Sequence, residues 1–303
     1  MARHLPIAVL RKALRQDLSF TESLNVPSFD DRYVNANGIR TRYWSVGDGG
    51  VPLVLLHGLS GTIEDWSETL EPLSVDRRVI AVDLLGSGKT DKPKTSTYAA
   101  DIMRDHILSV LDALSLDIVD INGWSLGGRI ALDVAFEAPG RLRRLVLTAP
   151  AGIGPDTLID FDASFPALLG QAVSRPFASG TRILGNAIHS GTSKRLLRFA
   201  ARRLSLLADT SSRDAFVGQM KSIVGGGGFL AEPRDALLKK LPLIQTPTLA
   251  IWGRNDHFSP FYHSETLLDL MPDCRLQVIE QCGHAPQIEW PVIYNAAVAD
   301  FLD

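Results

Sequence analysis

Short apolar runs with no polar alternation, such as Pro52-Leu53-Val54-Leu55-Leu56, recur along this chain, separated by segments of helical periodicity. A strand apolar on both sides must be covered on both faces, and the intervening helices supply that cover. The pattern predicts an α/β fold, a mostly parallel eight-stranded sheet with helices on both faces, from strands at 31–34, 41–45, 53–56, 78–82, 118–121, 145–147, 248–251 and 276–279. Helical patterns fall at 63–73, 99–114, 126–138, 260–271 and 286–302. The first two strands do alternate, which places them at an antiparallel edge.

After residue 147 the alternation stops. Residues 152–233 carry helical patterns at 164–173, 194–207 and 212–223, no strand, and end in Gly225-Gly226-Gly227-Gly228. A structureless loop of about 80 residues is foreign to a compact domain. The segment therefore reads as a helical cap inserted into a core of 31–151 and 234–303. The four glycines read as a flexible re-entry, or as a hinge for cap motion. Residues 1–30 form a helical extension in which Leu5, Ile7, Val9, Leu10, Leu14 and Leu18 mix with Arg11, Lys12 and Arg15. Packing on the domain is the expected role; contact of residues 5–18 with a membrane surface is the alternative.

The 303 residues are 45% hydrophobic and 21% charged, with net charge −3, so the chain has core-forming material and no electrostatic footprint for nucleic acid. It lacks both an apolar run of about 20 residues for a bilayer span and the apolar core of a secretory signal. Cys274 and Cys282 flank the strand at 276–279. Eight extended residues hold their Cα atoms about 26 Å apart, where a disulfide needs less than ~7 Å. Free thiols in a reducing, cytoplasmic compartment are expected. No His, Cys and carboxylate spacing suggests a metal, and no cofactor is implied. Asp83-Leu84-Leu85-Gly86-Ser87-Gly88-Lys89-Thr90 ends like a phosphate-binding loop, but the pattern requires glycine where Asp83 stands, and Asp91-Lys92-Pro93 excludes a following helix.

The chemistry concentrates at Gly123-Trp124-Ser125-Leu126-Gly127, between a strand and a helix. Glycines two residues either side let the turn tighten until the serine hydroxyl stands at its tip, beside a helix N-terminus that favours negative charge. A serine needs a base to take its proton. His284 follows the last strand, on the same sheet edge as Ser125. Asp256, in Gly253-Arg254-Asn255-Asp256 after the seventh strand, precedes it in the required order and orients it; Asp83 is the competing acid, also at a strand end. Backbone N–H groups of Leu126 and of Leu59, in His57-Gly58-Leu59-Ser60-Gly61, are the expected oxyanion donors. Gly58, Ser60, Trp124 and His257 are candidates to line a substrate pocket. Among the other histidines, His57 begins a different loop, His106 falls inside a helical pattern, and His189 and His263 have no supporting context.

With these motifs in order, residues 31–303 resemble the α/β-hydrolase fold family, in which the Asp83–Thr90 stretch is structural and the insertion is a cap that shapes the pocket. Serine at the elbow, where epoxide- and halide-processing members use aspartate, implies acyl chemistry. Hydrolysis of carboxylic esters of apolar small molecules is the first expectation. The alternative is a carbon–carbon bond hydrolase of meta-cleavage products, which Trp252 to Phe258, Gln281-Cys282-Gly283-His284 and Ala149-Pro150-Ala151-Gly152 resemble. Members of that subfamily usually carry asparagine where Trp124 stands and bind substrate with a single cap arginine, for which Arg195, Arg198, Arg202 and Arg203 are the candidates. Lactonase, acyltransferase and non-catalytic receptor roles follow less directly. A small-molecule substrate is the one partner implied.

Overall fold

The computed structural model describes residues 29–94, 98–156, 199, 202–203, 209–225 and 228–303. Its centre is an eight-stranded sheet in the order β1-β2-β4-β3-β5-β6-β9-β10. The strands are β1 (Arg32–Ala36), β2 (Ile39–Val46), β3 (Leu53–Leu56), β4 (Val79–Val82), β5 (Val119–Trp124), β6 (Leu142–Thr148), β9 (Thr248–Gly253) and β10 (Cys274–Ile279). β1 and β2 pair antiparallel, and β2 pairs antiparallel with β4; from β4 to β10 every pairing is parallel. Each expected strand is present, and the alternating first two form the antiparallel edge.

Successive β3 side chains show why the runs are unbroken. Val54 and Leu56 enter one core, while Leu53 and Leu55 enter the other. The first core is covered by α1 (Ala100–Ala113) and α2 (Leu126–Glu137). In α1 the buried Met103, Ile107, Val110 and Leu111 form one stripe. α2 lies beside α1 against the sheet, and its residues 126–135 are all buried. Opposite, α6 (Pro291–Leu302) buries Tyr294, Val298 and Leu302. Before it come α3 (Thr210–Lys221), α4 (Ala231–Lys240) and α5 (His263–Leu270).

Three differences have physical causes. The 63–73 pattern forms a 3₁₀ turn at Ile63–Trp66 and one α-turn at Leu70–Leu73, because Asp65 N donates to the Thr62 carbonyl (3.0 Å) in the i→i+3 bond of a 3₁₀ turn while its carboxylate accepts from Thr62 N (3.3 Å). The 286–302 pattern breaks at Trp290 (φ −132°, ψ 56°), since Pro291 drives the preceding residue out of helical space. Where no strand was expected, β7 (Val224–Gly225) pairs antiparallel with β8 (Gly228–Phe229), and the Phe229 N–H donates to the Pro155 carbonyl at 3.1 Å. Residue 229 is thereby pinned to residue 155. The extension with its 5–18 segment, the helix at 164–173 and most of that at 194–207 lie outside the described residues.

No helix among the described residues is long and apolar enough to cross a membrane. Both cysteines are free, and burial pushes the Cys274 thiol up to about 11 and the Cys282 thiol higher still.

Candidate active site

β3, β5, β9 and β10 all end at one edge of the sheet, and the loops leaving them carry the candidate residues. Ser125 follows the last residue of β5 and caps α2 with φ 54° and ψ −114°. A Cβ on Gly123 would strike the Gly127 carbonyl, and one on Gly127 would strike the Leu56 carbonyl. Any larger residue would push the turn open. The serine is strapped on both sides: its N–H donates to Thr148 O (2.9 Å), and its carbonyl accepts from Arg129 N and Ala151 N (both 3.0 Å).

His284 Nδ1 lies 2.7 Å from Asp256 Oδ2, with both side chains buried. With the carboxylate accepting, Nδ1 carries the proton and Nε2 is the basic nitrogen. The other Asp256 oxygen accepts from Phe258 N (2.8 Å) and Ser259 N (2.9 Å), which sets the orientation of the carboxylate. The loops after β9 and β10 are stitched together by Arg254 N to Ile279 O (3.0 Å) and Asn255 N to Cys282 O (2.8 Å). Glu289 accepts from Gly283 N (3.0 Å) and Ala285 N (3.3 Å) on either side of the histidine. Trp124, the neighbour of Ser125, donates from Nε1 to the His284 carbonyl at 2.7 Å.

The 57–61 loop closes against the elbow. A Cβ on Gly58 would stand 3.1 Å from the Ser125 Cβ. The amide of Leu59 belongs to this loop, and that of Leu126 to the first turn of α2, where helix N–H groups have no intrahelical partner. His57 holds the loop from beneath. Its Nε2 accepts from Leu84 N (3.0 Å), so Nδ1 carries the hydrogen and donates to Gly58 O (2.8 Å). Complete burial keeps this imidazole neutral, with its pKa pushed down to about 4. Ser60, with φ 55°, borders a cavity of ≈ 20 Å³ shared with Ser87, Phe216 and Gln219.

Asp83 is used elsewhere. It is fully buried, accepts from Ile63 N (2.8 Å) and Lys89 N (2.9 Å), and faces Arg42 Nη1 at 3.2 Å. Burial and the charge of Glu64 raise its pKa to about 6. The Gly86–Thr90 stretch thus wraps an internal carboxylate, with Thr90 Oγ1 donating to the Asp83 carbonyl at 2.8 Å. His106 is buried against Thr41 Oγ1 (2.8 Å) and His263 against Asp156 (3.1 Å); His189 lies outside the described residues.

Two pocket candidates differ in burial. His257 is exposed, while the turn that feeds amides to Asp256 carries Phe258 inward, its ring 4.7 Å from that of His284. Trp124 is 3% exposed, as deeply buried as Ser125. Sequence reasoning also missed Asp65, for which no motif spoke. Its carboxylate takes a bidentate pair from Arg203 (2.9 and 2.6 Å), and Arg202 Nη2 lies 3.8 Å away. Burial alone would raise the Asp65 pKa, but Arg203 overrides this and holds it below the usual carboxylate range. The Arg203 guanidinium sits 4.1 Å from the Phe199 ring centroid and 5.9 Å from that of Trp124. Arg195 and Arg198 lie outside the described residues. Among the described residues no cluster could hold a metal ion.

A parallel sheet whose C-terminal edge carries a strained serine turn, an oriented histidine and a carboxylate defines an α/β-hydrolase. The alpha/beta hydrolase fold family matches residues 51–291, and the chain belongs to it. Over 280 residues it is 31% identical to a 2-hydroxymuconate semialdehyde hydrolase of Pseudomonas sp. (strain CF600), spanning 89% of this chain and 93% of the relative. Over 294 residues it is 33% identical to a 2-hydroxy-6-oxo-2,4-heptadienoate hydrolase of Pseudomonas putida, spanning 92% and 98%. The structure of a meta-cleavage product hydrolase from Pseudomonas fluorescens IP01 superposes with a TM-score of 0.72 at 26% identity, covering 89% of this chain and 96% of that one.

Proposed function

We propose that this α/β-hydrolase cleaves a carbon–carbon bond beside a ketone in a 2-hydroxy-6-oxo-dienoate, the class of compound formed by meta-cleavage of aromatic rings. The observation that carries the reading is the likeness, along nearly the whole chain, to two hydrolases named for such substrates. This favours the carbon–carbon reading over the ester hydrolysis first expected from the serine alone.

Ser125 Oγ attacks the ketone carbon while His284 Nε2 takes its proton, and Asp256 steadies the imidazolium. The Leu59 and Leu126 amides hold the oxyanion. As the carbonyl re-forms, the carbon–carbon bond breaks. Its electron pair needs an acceptor, so the dienol first ketonises, its hydroxyl proton moving to the carbon beside the 6-ketone; on cleavage the pair passes through the remaining double bond onto the 2-oxo oxygen, and the dienolate takes the proton back from His284. Water, deprotonated by the same histidine, then releases the acyl group as a carboxylic acid; the sum is addition of one water.

The test is a side-by-side assay of 2-hydroxy-6-oxo-2,4-heptadienoate and a chromogenic short-chain ester. kcat/KM for the dienoate should exceed that for the ester by about 100-fold, a margin that a site built around a substrate's polar groups commands. Ser125→Ala should abolish turnover of both. Rapid ester turnover with an inert dienoate would overturn the substrate assignment and leave a serine esterase.

A further inference from the structure

We infer that Trp124 is a positioning residue that couples the nucleophile turn to the general base. The inference rests on the roles assigned above to Ser125 and His284. Three observations meet on this side chain. Trp124 precedes Ser125 directly, at the last position of β5. Its indole N–H donates to the main-chain carbonyl of His284 over 2.7 Å, both groups being buried. Its ring lies 5.7 Å from the imidazole, centroid to centroid.

Asp256 fixes Nδ1 of His284, and Phe258 packs against the ring at 4.7 Å. The loop that carries the histidine must be fixed separately. Glu289 holds the amides of residues 283 and 285, and the Trp124 N–H holds the carbonyl of residue 284 itself. The indole is itself packed on both sides. On one side the Cα of Gly58 approaches so closely that a Cβ would stand 3.2 Å from Cε3. On the other, Phe199 packs at 6.1 Å and the Arg203 guanidinium at 5.9 Å from the ring centroid. Oxyanion loop, cap and base loop thus bear on one ring. Misplacement by about 1 Å of a group this close to the chemistry can cost two orders of magnitude in rate.

Two variants isolate the contact. Trp124→Phe keeps an aromatic ring and loses the donor. Replacing Trp124 with 3-benzothienylalanine puts sulfur in place of the N–H and keeps shape and stacking. Each is assayed for kcat and KM on the best substrate, for the rate of Ser125 labelling by a fluorophosphonate, and for its unfolding midpoint. The benzothienyl variant should fold as the parent does, with kcat down at least about tenfold, KM within about twofold and phosphonylation slowed by the same factor as kcat. Wild-type kcat and labelling rate in that variant would overturn the inference, as would a rise in KM with kcat unchanged, which marks a pocket wall. If Trp124→Phe does not fold, the benzothienyl variant decides alone. Failure of the parent enzyme to label at Ser125 would instead remove the nucleophile assignment, so the two failures are distinguishable.

Discussion

Ser125 sits at φ 54° and ψ −114°, a conformation an L-residue adopts only when its surroundings force it, at a cost of about 1–3 kcal/mol. The straps from Thr148, Arg129 and Ala151 do the forcing. Glycine relieves such strain and returns only part of the gain as backbone entropy. Ser125→Gly should therefore raise unfolding stability by about 1 kcal/mol, read in urea titrations, while abolishing turnover. The two buried carboxylates at strand ends separate in the same way. Asp256→Asn reverses the hydrogen-bond preference of His284 Nδ1 and should lower kcat by about 10⁴-fold with little loss of stability. Asp83→Asn disturbs two amide contacts and a guanidinium, so its effect should fall on the unfolding midpoint, with kcat of the folded enzyme within about tenfold. A kcat ranking in the opposite order would reassign the acid.

At the level of elements, the described residues between 199 and 221 are joined to the sheet's loops by buried polar contacts. The 3₁₀ turn at Ile63–Trp66 supplies Asp65, which pairs with Arg203. Gln219 of α3 adds bonds to the Leu85 carbonyl (2.8 Å) and to Ser87 (3.1 Å). A buried ion pair contributes little net stability when intact but is costly to halve, because the survivor stays buried without its countercharge. Asp65→Ala should lose about 3 kcal/mol in chemical denaturation, and the double variant Asp65→Leu, Arg203→Met should recover much of it. Additive losses would show that the pair does not act as a unit. None of this was legible in the sequence. A strand announces itself through local apolar runs, and all eight strands of the main sheet were readable; a contact between Asp65 and a residue 138 positions away leaves no local pattern. The β7–β8 ribbon escaped for a related reason, since two residues per strand are too few to show a period.

Across the whole molecule, the residues that sequence order could rank are those held at strand ends: Ser125 after β5, Asp256 after β9 and His284 after β10. Chain order separates Asp256 from Asp83, yet burial alone decides what Asp83, His57 and His106 do, and burial is a property of the finished fold. It also sets the response to acid. Burial pushes both His57 and His106 from an ordinary 6.5 down to about 4. Their unfolded forms therefore bind protons more readily than the native ones, so stability rises with pH through this range and is lost as pH falls from about 6.5 to 4. Each histidine is worth about 3 kcal/mol over that interval. Asp83, raised from 3.8 to about 6, works the other way, since its native form holds the proton more tightly and gains as pH falls. Two histidines outweigh one aspartate, leaving a loss of about 3 kcal/mol. Calorimetric unfolding midpoints should fall steadily from pH 6.5 to 4. In His106→Gln, whatever its starting stability, the slope should be shallower by about one proton per molecule. An unchanged slope would mean that His106 is protonated in the native state, against its burial in the first core behind Thr41.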